Sequence, residues 1–375
     1  MNSLPDDLKY TALRLYLEGP HAFDGQYRDA IRRITGSHAL TKRTLTSATI
    51  KHLINEELSR RGMPEDCTDQ LVRRIVSDMA RDRYIVFQPP IEESCRDTLA
   101  AYAKAPRHCI RAVDFRAPND QVVVGEVARA AADVGIKLIR ELGKKKRQIH
   151  LGLGAGRSSR YLAKHLADRL CMADDLRKDG VELTVHALSA GYEPTTPLNS
   201  PVASFAAFGN AAPKMSFTAL FSEAVVPTQR FEEVMTLPGV EEAFDSKDSI
   251  DIAFSSLASA DSNIGLWKRY AQRATGFDTI KKLTDHDWVG DFQFRPYSAK
   301  AAITADVGLR AVTLFEISEF CAMADQPDKH VVLMCGPGKH EALMPLLTVP
   351  ELKVWDHCVI DVESVEKIKD SLDAA

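Results

Sequence analysis

The chain has 375 residues, a length that suits two folded domains better than one core. Apolar residues make up 45% of it and charged residues 27%, which is the composition of an ordinary globular protein and not of a disordered or fibrous one. Its formal net charge is −4, so any contact with nucleic acid must depend on a local concentration of positive charge.

Several protein classes are disfavoured by simple patterns. The opening sequence MNSLPDDLKY carries two acidic residues and no apolar core, unlike a secretory signal, and no run of about 18 apolar residues predicts a membrane span. The seven cysteines lie far apart without a C-x-x-C pair, so we expect reduced thiols in a cytoplasmic protein. No histidines have i, i+4 or H-E-x-x-H spacing, so neither a metal site nor a cofactor is predicted.

The predicted domain boundary lies in the segment QPPIEES at 88–94, where two prolines prevent a helix from continuing. It separates a helical head of residues 1–90 from a second domain of residues 91–375. Apolar residues at helical spacing predict three helices in the head, the second ending at Arg61-Gly62 and the third capped by Thr68 or Asp69.

The head is the basic part of the chain. Between residues 25 and 61 it has eight basic and three acidic residues, a net charge of +5 that suits a phosphate backbone. Segments 53–60 and 70–81 are predicted to form a helix-turn-helix, followed by a wing strand from Tyr84. Gln70, Arg73 and Arg74 would then lie early on the recognition helix and reach base edges. The alternative is an oligomerisation domain with solvated arginines, and the connection 62–68 is longer than a usual turn.

After the prolines, short apolar runs alternate with helical patterns. Strands are predicted at 148–153, 181–188, 250–254 (within 249–257), 311–315, 330–335 and 354–362. Strands alternating with helices predict an α/β domain with a largely parallel, doubly wound sheet. Ligands of such sheets bind at the carboxyl ends of the strands.

The segment GLGAGRSS at 152–159 follows a predicted strand and opens a predicted helix. Gly154 and Gly156 let the backbone turn and approach an anion, and the helix start offers unpaired N–H groups. Arg157 can add a guanidinium contact, and Ser158 and Ser159 can add hydroxyl donors. The pattern predicts a phosphate cradle, although glycines that merely make a tight turn would give the same spacing.

A second turn, CGPGKH at 335–340, has the same order of strand, glycines and helix. A lysine at a helix start opposes the helix dipole, so Gly338 and Lys339 are more consistent with a phosphate ligand than with a solvated turn. Two loops are predicted after other strands, at 255–263 and 289–291. Asp261 and Asp291 in these loops could bind sugar hydroxyls, or could serve as a helix cap and a turn residue.

Several of these stretches together resemble the SorC family of sugar-responsive transcriptional regulators. They are VGEVARAA at 124–131, LGLGAGRS at 151–158, GD at 290–291, GPGK at 336–339, VID at 359–361 and, in the head, LVRRIVSDM at 71–79. The resemblance implies a sensor domain of the fold group that includes ribose-phosphate isomerase and glucosamine-phosphate deaminase. It also implies that Gly154, Gly156, Arg157, Ser158 and Lys339 hold the phosphate of an effector sugar.

The sequence therefore favours a regulator that binds operator DNA with its head and a phosphorylated sugar with its second domain. The resemblance further implies a homodimer or homotetramer, which would match a pseudo-palindromic double-stranded operator. A sugar-phosphate isomerase or deaminase on the same fold is the alternative, with Asp261, Asp291 or His340 as its general base. A sensor module whose head binds protein is the third interpretation.

Overall fold

The computed structural model of the chain describes residues 45–81, 89–191, 197–211, 213–261 and 278–373, together with the single residues 8, 9, 12, 15, 16, 267, 268 and 270. Two compact units divide the chain, Met1–Phe87 and Gln88–Ala375. The predicted wing strand at 84–87 lies outside the described residues. No helix among those described is long and apolar enough to span a bilayer.

The first unit contains helices α1 (Ser47–Arg60) and α2 (Asp69–Arg81), which begin at hydroxyl caps. The Thr46 hydroxyl accepts a hydrogen bond from the backbone N–H of Thr49, and the Thr68 hydroxyl accepts one from Leu71. Gly62, with a φ of +67°, ends the first helix in the left-handed region. The start of α2 and the stop of α1 at Arg61-Gly62 agree with the sequence prediction, whereas the start of α1 at Ser47 was not predicted.

The connection between α1 and α2 is held by one amide side chain. Asn55 donates a hydrogen bond from Nδ2 to the carbonyl oxygen of Cys67 and accepts one from the Cys67 N–H, both at 3.0 Å. Apolar residues from α1, α2 and the amino-terminal segment pack around this connection; they are Leu8, Ala12, Leu15, Leu45, Ile50, Leu53, Ile54, Leu58, Cys67, Val72 and Ile75. Cys67 is the one buried residue between 61 and 68, so the longer connection is anchored to the first unit at Cys67 while the rest of it is exposed.

The second unit alternates strands and helices. Its strands are β1 (Ile110–Val113), β2 (Gln148–Leu153), β3 (Glu182–Ala187), β4 (Lys214–Thr218), β5 (Val225–Pro227), β6 (Ile252–Ser259), β7 (Trp288–Phe292), β8 (Arg295–Ser298), β9 (Leu309–Ala311), β10 (His330–Cys335) and β11 (His357–Asp361). Its helices are α3 (Glu93–Tyr102), α4 (Asp120–Gly143), α5 (Arg157–Cys171), α6 (Asp174–Lys178), α7 (Pro201–Ser204), α8 (Phe231–Met235), α9 (Pro238–Asp245), α10 (Thr279–Asp285), α11 (Ile317–Ala324), α12 (His340–Thr348) and α13 (Val362–Asp373).

The central sheet is largely parallel, as predicted. Its parallel strands lie in the order β1-β11-β10-β6-β2-β3-β4. From β2 the chain proceeds to β3 and β4 on one side, and it returns to β6, β10 and β11 on the other. The order of strands therefore reverses between β2 and β6, the place where open α/β sheets form a ligand crevice.

Helices cover both faces of this sheet. In β10, Val331, Leu333 and Cys335 pack into one apolar cluster, whereas Val332 and Met334 pack into another on the opposite face. This alternation follows from the two-residue period of a strand, and burial on both sides makes the strand continuously apolar. The predicted doubly wound α/β fold is confirmed.

Two predicted loops are strands in the structure. The segment predicted as a loop from residue 255 is the second half of β6, because Leu257, Ala258 and Ser259 pair antiparallel with β7. Asp291, predicted in a loop, lies inside β7 and pairs with Pro296 of β8. The strand predicted at 311–315 is shorter and displaced, since β9 pairs with β5 in a separate two-stranded sheet. The pairings of β6 with β7 and of β5 with β9 are long-range, so the local pattern did not indicate them. The β7–β8 hairpin is local but was not predicted, because its Gln293-Phe294 turn lacks the usual Asn and Gly.

Candidate functional site

A pocket of about 420 Å³ lies at the carboxyl ends of β2, β6 and β10, three adjacent strands of the sheet. This is the edge predicted for a ligand. Its wall contains seven of the nine predicted effector-binding residues, from four separate segments of the chain: Gly156, Arg157, Ser158, Asp261, Asp291, Gly338 and Lys339.

Two helix starts meet at this pocket. Helix α5 begins at Arg157 after Gly156, whose φ of +108° is a conformation that residues with a Cβ rarely adopt. Helix α12 begins after Lys339, and Gly338 before it has a φ of +74°. Neither helix start has a side-chain cap, so the first backbone N–H groups keep their hydrogen-bonding capacity for a ligand.

The two helix starts also carry two cationic side chains. Within the described residues, neither Arg157 nor Lys339 makes a hydrogen bond or an ion pair, although each lines the pocket. Burial lowers the pKa of the half-buried Lys339, and the neighbouring Arg157 guanidinium lowers it further, against the effect of Asp291. Two positive side chains near each other at two helix amino termini give this end of the pocket a local positive charge, which favours an anion.

The same pocket contains a buried carboxyl group. Asp291 is only 3% exposed, and its burial raises its pKa to about 7, although Lys339 and a hydrogen bond from the Phe294 backbone act in the opposite direction. At neutral pH this group therefore changes easily between a hydrogen-bond donor and an acceptor. Asp261, by contrast, lies exposed at the pocket rim, just beyond the end of β6.

A strained turn contributes to the pocket. Gln293 and Phe294 connect β7 to β8, and both have positive φ values, of 49° and 60°. A two-residue hairpin of this type usually contains Asn and Gly, because other residues are strained there. The Gln293 side chain donates a hydrogen bond to the Ser255 hydroxyl, while its buried Oε1 has no hydrogen-bond partner among the described residues. The turn therefore presents an unpaired amide oxygen at the site.

Two predicted effector-binding residues do not line the pocket. A Cβ atom at Gly154 would overlap the Gln293 side chain, so this glycine is needed for close packing behind the pocket. The backbone N–H of Gly154 donates a hydrogen bond to the Phe254 carbonyl at 2.9 Å. Ser159 is buried, and its hydroxyl donates to the Ala155 carbonyl at 3.4 Å within the first turn of α5.

Part of the pocket wall was not predicted from the sequence. The additional polar residues are Asp120, Gln121, Asn199, Ser200, Ser256, Ser259 and Gln293. Asp120 and Gln121 begin α4, capped by Asn119, so the order of strand, polar loop and helix could have indicated them. Gln293 had no such local signal, because its position depends on the pairing of β7 with both β6 and β8.

The three predicted DNA-contacting residues lie in the first half of α2. Gln70, Arg73 and Arg74 are exposed, and Arg73 also donates a hydrogen bond to the Ser47 hydroxyl at 3.4 Å. An ion pair of 3.2 Å joins Lys51 of α1 to Asp69 at the start of α2. These two polar contacts join α2, which carries the exposed arginines, to α1.

Comparisons with known proteins find similarity of structure only. The chain matches no family model, and no curated protein sequence is similar to it. The full-length sorbitol operon regulator SorC from Klebsiella pneumoniae has a TM-score of 0.62 at 13% identity, over 98% of this chain and 99% of that chain.

Two further solved structures match the greater part of the chain. A DeoR family transcriptional regulator from Listeria monocytogenes has a TM-score of 0.52 at 17% identity, over 73% of this chain and 98% of that chain. A domain of a possible sugar-binding transcriptional regulator from Arthrobacter aurescens TC1 has a TM-score of 0.55 at 14% identity, over 76% of this chain and 100% of that chain. The chain therefore has the fold of SorC-type regulators, which confirms the predicted fold resemblance.

Proposed function

We propose that this protein is a transcriptional regulator whose second unit binds a phosphorylated sugar and whose first unit binds operator DNA. The observation that carries the proposal is the pair of cations, Arg157 and Lys339, at two uncapped helix starts in one pocket. A phosphate group fits this arrangement, because it can accept hydrogen bonds from backbone N–H groups and from both side chains.

The rest of the pocket suits the sugar part of the effector. Polar side chains with both donor and acceptor capacity surround the cationic end, among them Asp261, Asp291, Gln293 and Asn199. Sugar hydroxyls both donate and accept hydrogen bonds, so these groups can fix the orientation of the ring. The unpaired Oε1 of Gln293 would accept one of those bonds.

The matched solved structures support the regulatory part of the proposal, since the proteins named above are transcriptional regulators. In the first unit, Gln70, Arg73 and Arg74 of α2 would contact DNA, and the cluster of positive charge in the head would bind the phosphate backbone. Effector binding would change DNA affinity only if it favours one of two states of a homo-oligomer.

A phosphosugar isomerase or deaminase is a second candidate, favoured by one observation. Asp291 lies buried in the pocket with a pKa of about 7, a value that suits a general base at neutral pH. The two candidates differ in a direct test. An enzyme would convert a sugar phosphate at catalytic amounts, whereas a regulator would bind it without turnover.

The anion site is tested by thermal denaturation with a panel of sugar phosphates, the matching unphosphorylated sugars and inorganic phosphate. We expect a sugar phosphate at about 100 times its Kd to stabilise the protein by about 2.7 kcal/mol. Arg157→Ala and Lys339→Ala should each weaken binding by at least about tenfold, since each removes a charged hydrogen bond of about 1.5–3 kcal/mol.

Lys164→Ala is the matched control, because Lys164 is an exposed cation of α5 that does not line the pocket. Its response to sugar phosphates should equal that of the unsubstituted protein. If both pocket variants also respond like the unsubstituted protein, the phosphate site lies elsewhere. Conversion of a sugar phosphate without any DNA binding would favour the enzyme over the regulator.

A further inference from the structure

A second cluster of chemically active side chains lies at the opposite edge of the sheet from the pocket. His330 is the first residue of β10, Asp356 directly precedes β11, and His357 is its first residue. Val332 pairs with His357 in the parallel register, which brings these strand starts side by side. The sequence predicted no metal site, because His330 and His357 are 27 positions apart in the chain.

The side chains of His330, Asp356 and His357 lie close to one another. His330 Nδ1 lies 2.6 Å from Asp356 Oδ2, and His357 Nε2 lies 3.9 Å from the same oxygen. One ligand atom from each residue lies within 4.8 Å of those of the other two. The two imidazole rings are stacked, with centroids 5.6 Å apart and an interplanar angle of 20°. Two imidazoles and one carboxylate thus face one small volume.

The carboxylate is oriented by the backbone. The Val331 N–H donates a hydrogen bond of 2.6 Å to Asp356 Oδ1, which leaves Oδ2 directed toward the histidines. Hydrogen bonds of this kind commonly orient the ligands of metal sites. Within the described part of the chain, the imidazole of His357 makes no hydrogen bond, so one ring nitrogen keeps its lone pair for another partner.

We propose that His330, Asp356 and His357 form a binding site for Zn²⁺ or a related divalent transition metal. Imidazole and carboxylate are ligands that Zn²⁺ prefers, and three protein ligands leave a fourth position for water or another side chain. His108 and Cys109 come directly before β1, which pairs with β11, and so lie next to this cluster in the sheet.

The side chains of His330, Asp356 and His357 are 13% to 20% exposed, which leaves access for an ion from solvent while limiting competition from water. The metal would join the starts of two neighbouring parallel strands and so stabilise the second unit. It would not compete with an effector, because the anion pocket lies beyond the other end of β10. The six residues of β10 separate the two sites by about 20 Å.

The experiment titrates metal-free full-length protein with Zn²⁺ against a chromogenic chelator, and with Co²⁺ while recording visible d–d absorption. We expect one Zn²⁺ per chain at this site and a Co²⁺ spectrum typical of nitrogen and oxygen ligands. His330→Ala and His357→Ala should each lower Zn²⁺ affinity by about 100-fold or more, because a direct ligand contributes more than an outer partner.

His286→Ala is the control for a solvent-exposed histidine, and His150→Gln is the control for a second histidine pair. His150 Nδ1 lies 2.8 Å from His186 Nε2, so a metal could bind there instead. Both controls should bind Zn²⁺ like the unsubstituted protein. Unchanged melting temperatures without metal would show that the His330 and His357 variants fold.

Three results would overturn the proposal: no Zn²⁺ or Co²⁺ binding, binding by both cluster variants that equals that of the unsubstituted protein, or loss of binding on substitution of His150. A folded His357 variant that loses the metal-induced rise in melting temperature would support it. Inorganic phosphate binding should be the same with and without Zn²⁺. The metal site can therefore fail while the proposed phosphate site stands, and the reverse also holds.

Discussion

At the scale of single residues, burial of Asp291 has two effects: it raises the pKa of the carboxyl group to about 7, and it lowers the stability of the folded protein at neutral pH. A carboxyl group that is 3% exposed is stabilised in its neutral form, which is why its pKa rises to about 7. Between its ordinary pKa and this raised value, the folded protein binds a proton that the unfolded chain releases. The free energy of unfolding therefore falls as the pH rises through that window, and the fall is complete above about pH 7.

Asp291→Asn should remove this pH dependence. Because the neutral amide has no proton to lose, we expect the variant to gain about 3 kcal/mol in free energy of unfolding relative to the unsubstituted protein between pH 5 and pH 8. Urea denaturation at both pH values measures the difference. Asp261→Asn changes an exposed carboxylate at the same pocket and should show a constant difference. An equal gain for Asp291→Asn at both pH values would contradict the raised pKa.

At the scale of elements, the helices that carry the pocket are joined by a buried ion pair. Arg169 of α5 lies 2.5 Å from Asp133 of α4, and the two side chains are only 6% and 9% exposed. Gly135, also in α4, allows close packing, because a Cβ there would lie 2.8 Å from the Phe254 ring of β6. The Gly135 contact holds α4 against the sheet, and the ion pair joins α5 to α4. Helix α5 in turn positions Arg157.

Asp133→Ala should lower the free energy of unfolding by about 3–5 kcal/mol, because it leaves the Arg169 charge buried without its partner. Urea denaturation measures this change. Asp175→Ala is the matched control, since it breaks an ion pair with Arg140 of the same helix α4 that is 45% to 49% exposed. That substitution should cost less than about 1 kcal/mol. Similar costs for both variants would show that burial does not determine the effect.

At the scale of the whole molecule, the two compact units divide the proposed functions between them. The first unit contains the exposed arginines of α2, whereas the pocket is built wholly from the second unit. A net charge of −4 for the chain disfavours general binding to nucleic acid, so the proposed DNA affinity would have to come from the basic head. This division predicts that the two activities can be lost separately.

The combined substitution of Arg73 and Arg74 by Ala should weaken binding to the DNA upstream of the gene for this protein and leave sugar-phosphate binding unchanged. Although these arginines are expected to reach base edges, they also bring two positive charges close to the DNA backbone, so their loss should reduce the slope of log K against log salt by up to about 2. Fluorescence anisotropy over a series of salt concentrations measures this slope. Substituting Lys144 and Lys145, exposed cations of the second unit, is the control and should leave the slope unchanged. Equal slopes for both double variants would place the DNA contacts elsewhere.

Local patterns in the sequence were enough to predict the α/β class, the glycine turns at 152–159 and 335–340, the end of α1 and the cap of α2. These features depend on local physics: strand and helix periods, the conformational freedom of glycine, and side-chain capping of N–H groups. Strands β2 and β10 were predicted to the residue for this reason. The positions of Arg157 and Lys339 at helix starts could be predicted because each follows one of these glycine turns.

Which of these features come together in space depends on how the strands pair in the folded protein. The antiparallel pairing of β6 with β7 buried Asp291 and placed the strained Gln293-Phe294 turn in the pocket, while Gly154 and Ser159 lie outside the pocket wall. Parallel pairing of β10 with β11 brought His330 beside His357, across 27 positions of sequence. Such contacts depend on the order of strands in the sheet, which long-range burial selects and local pattern does not contain.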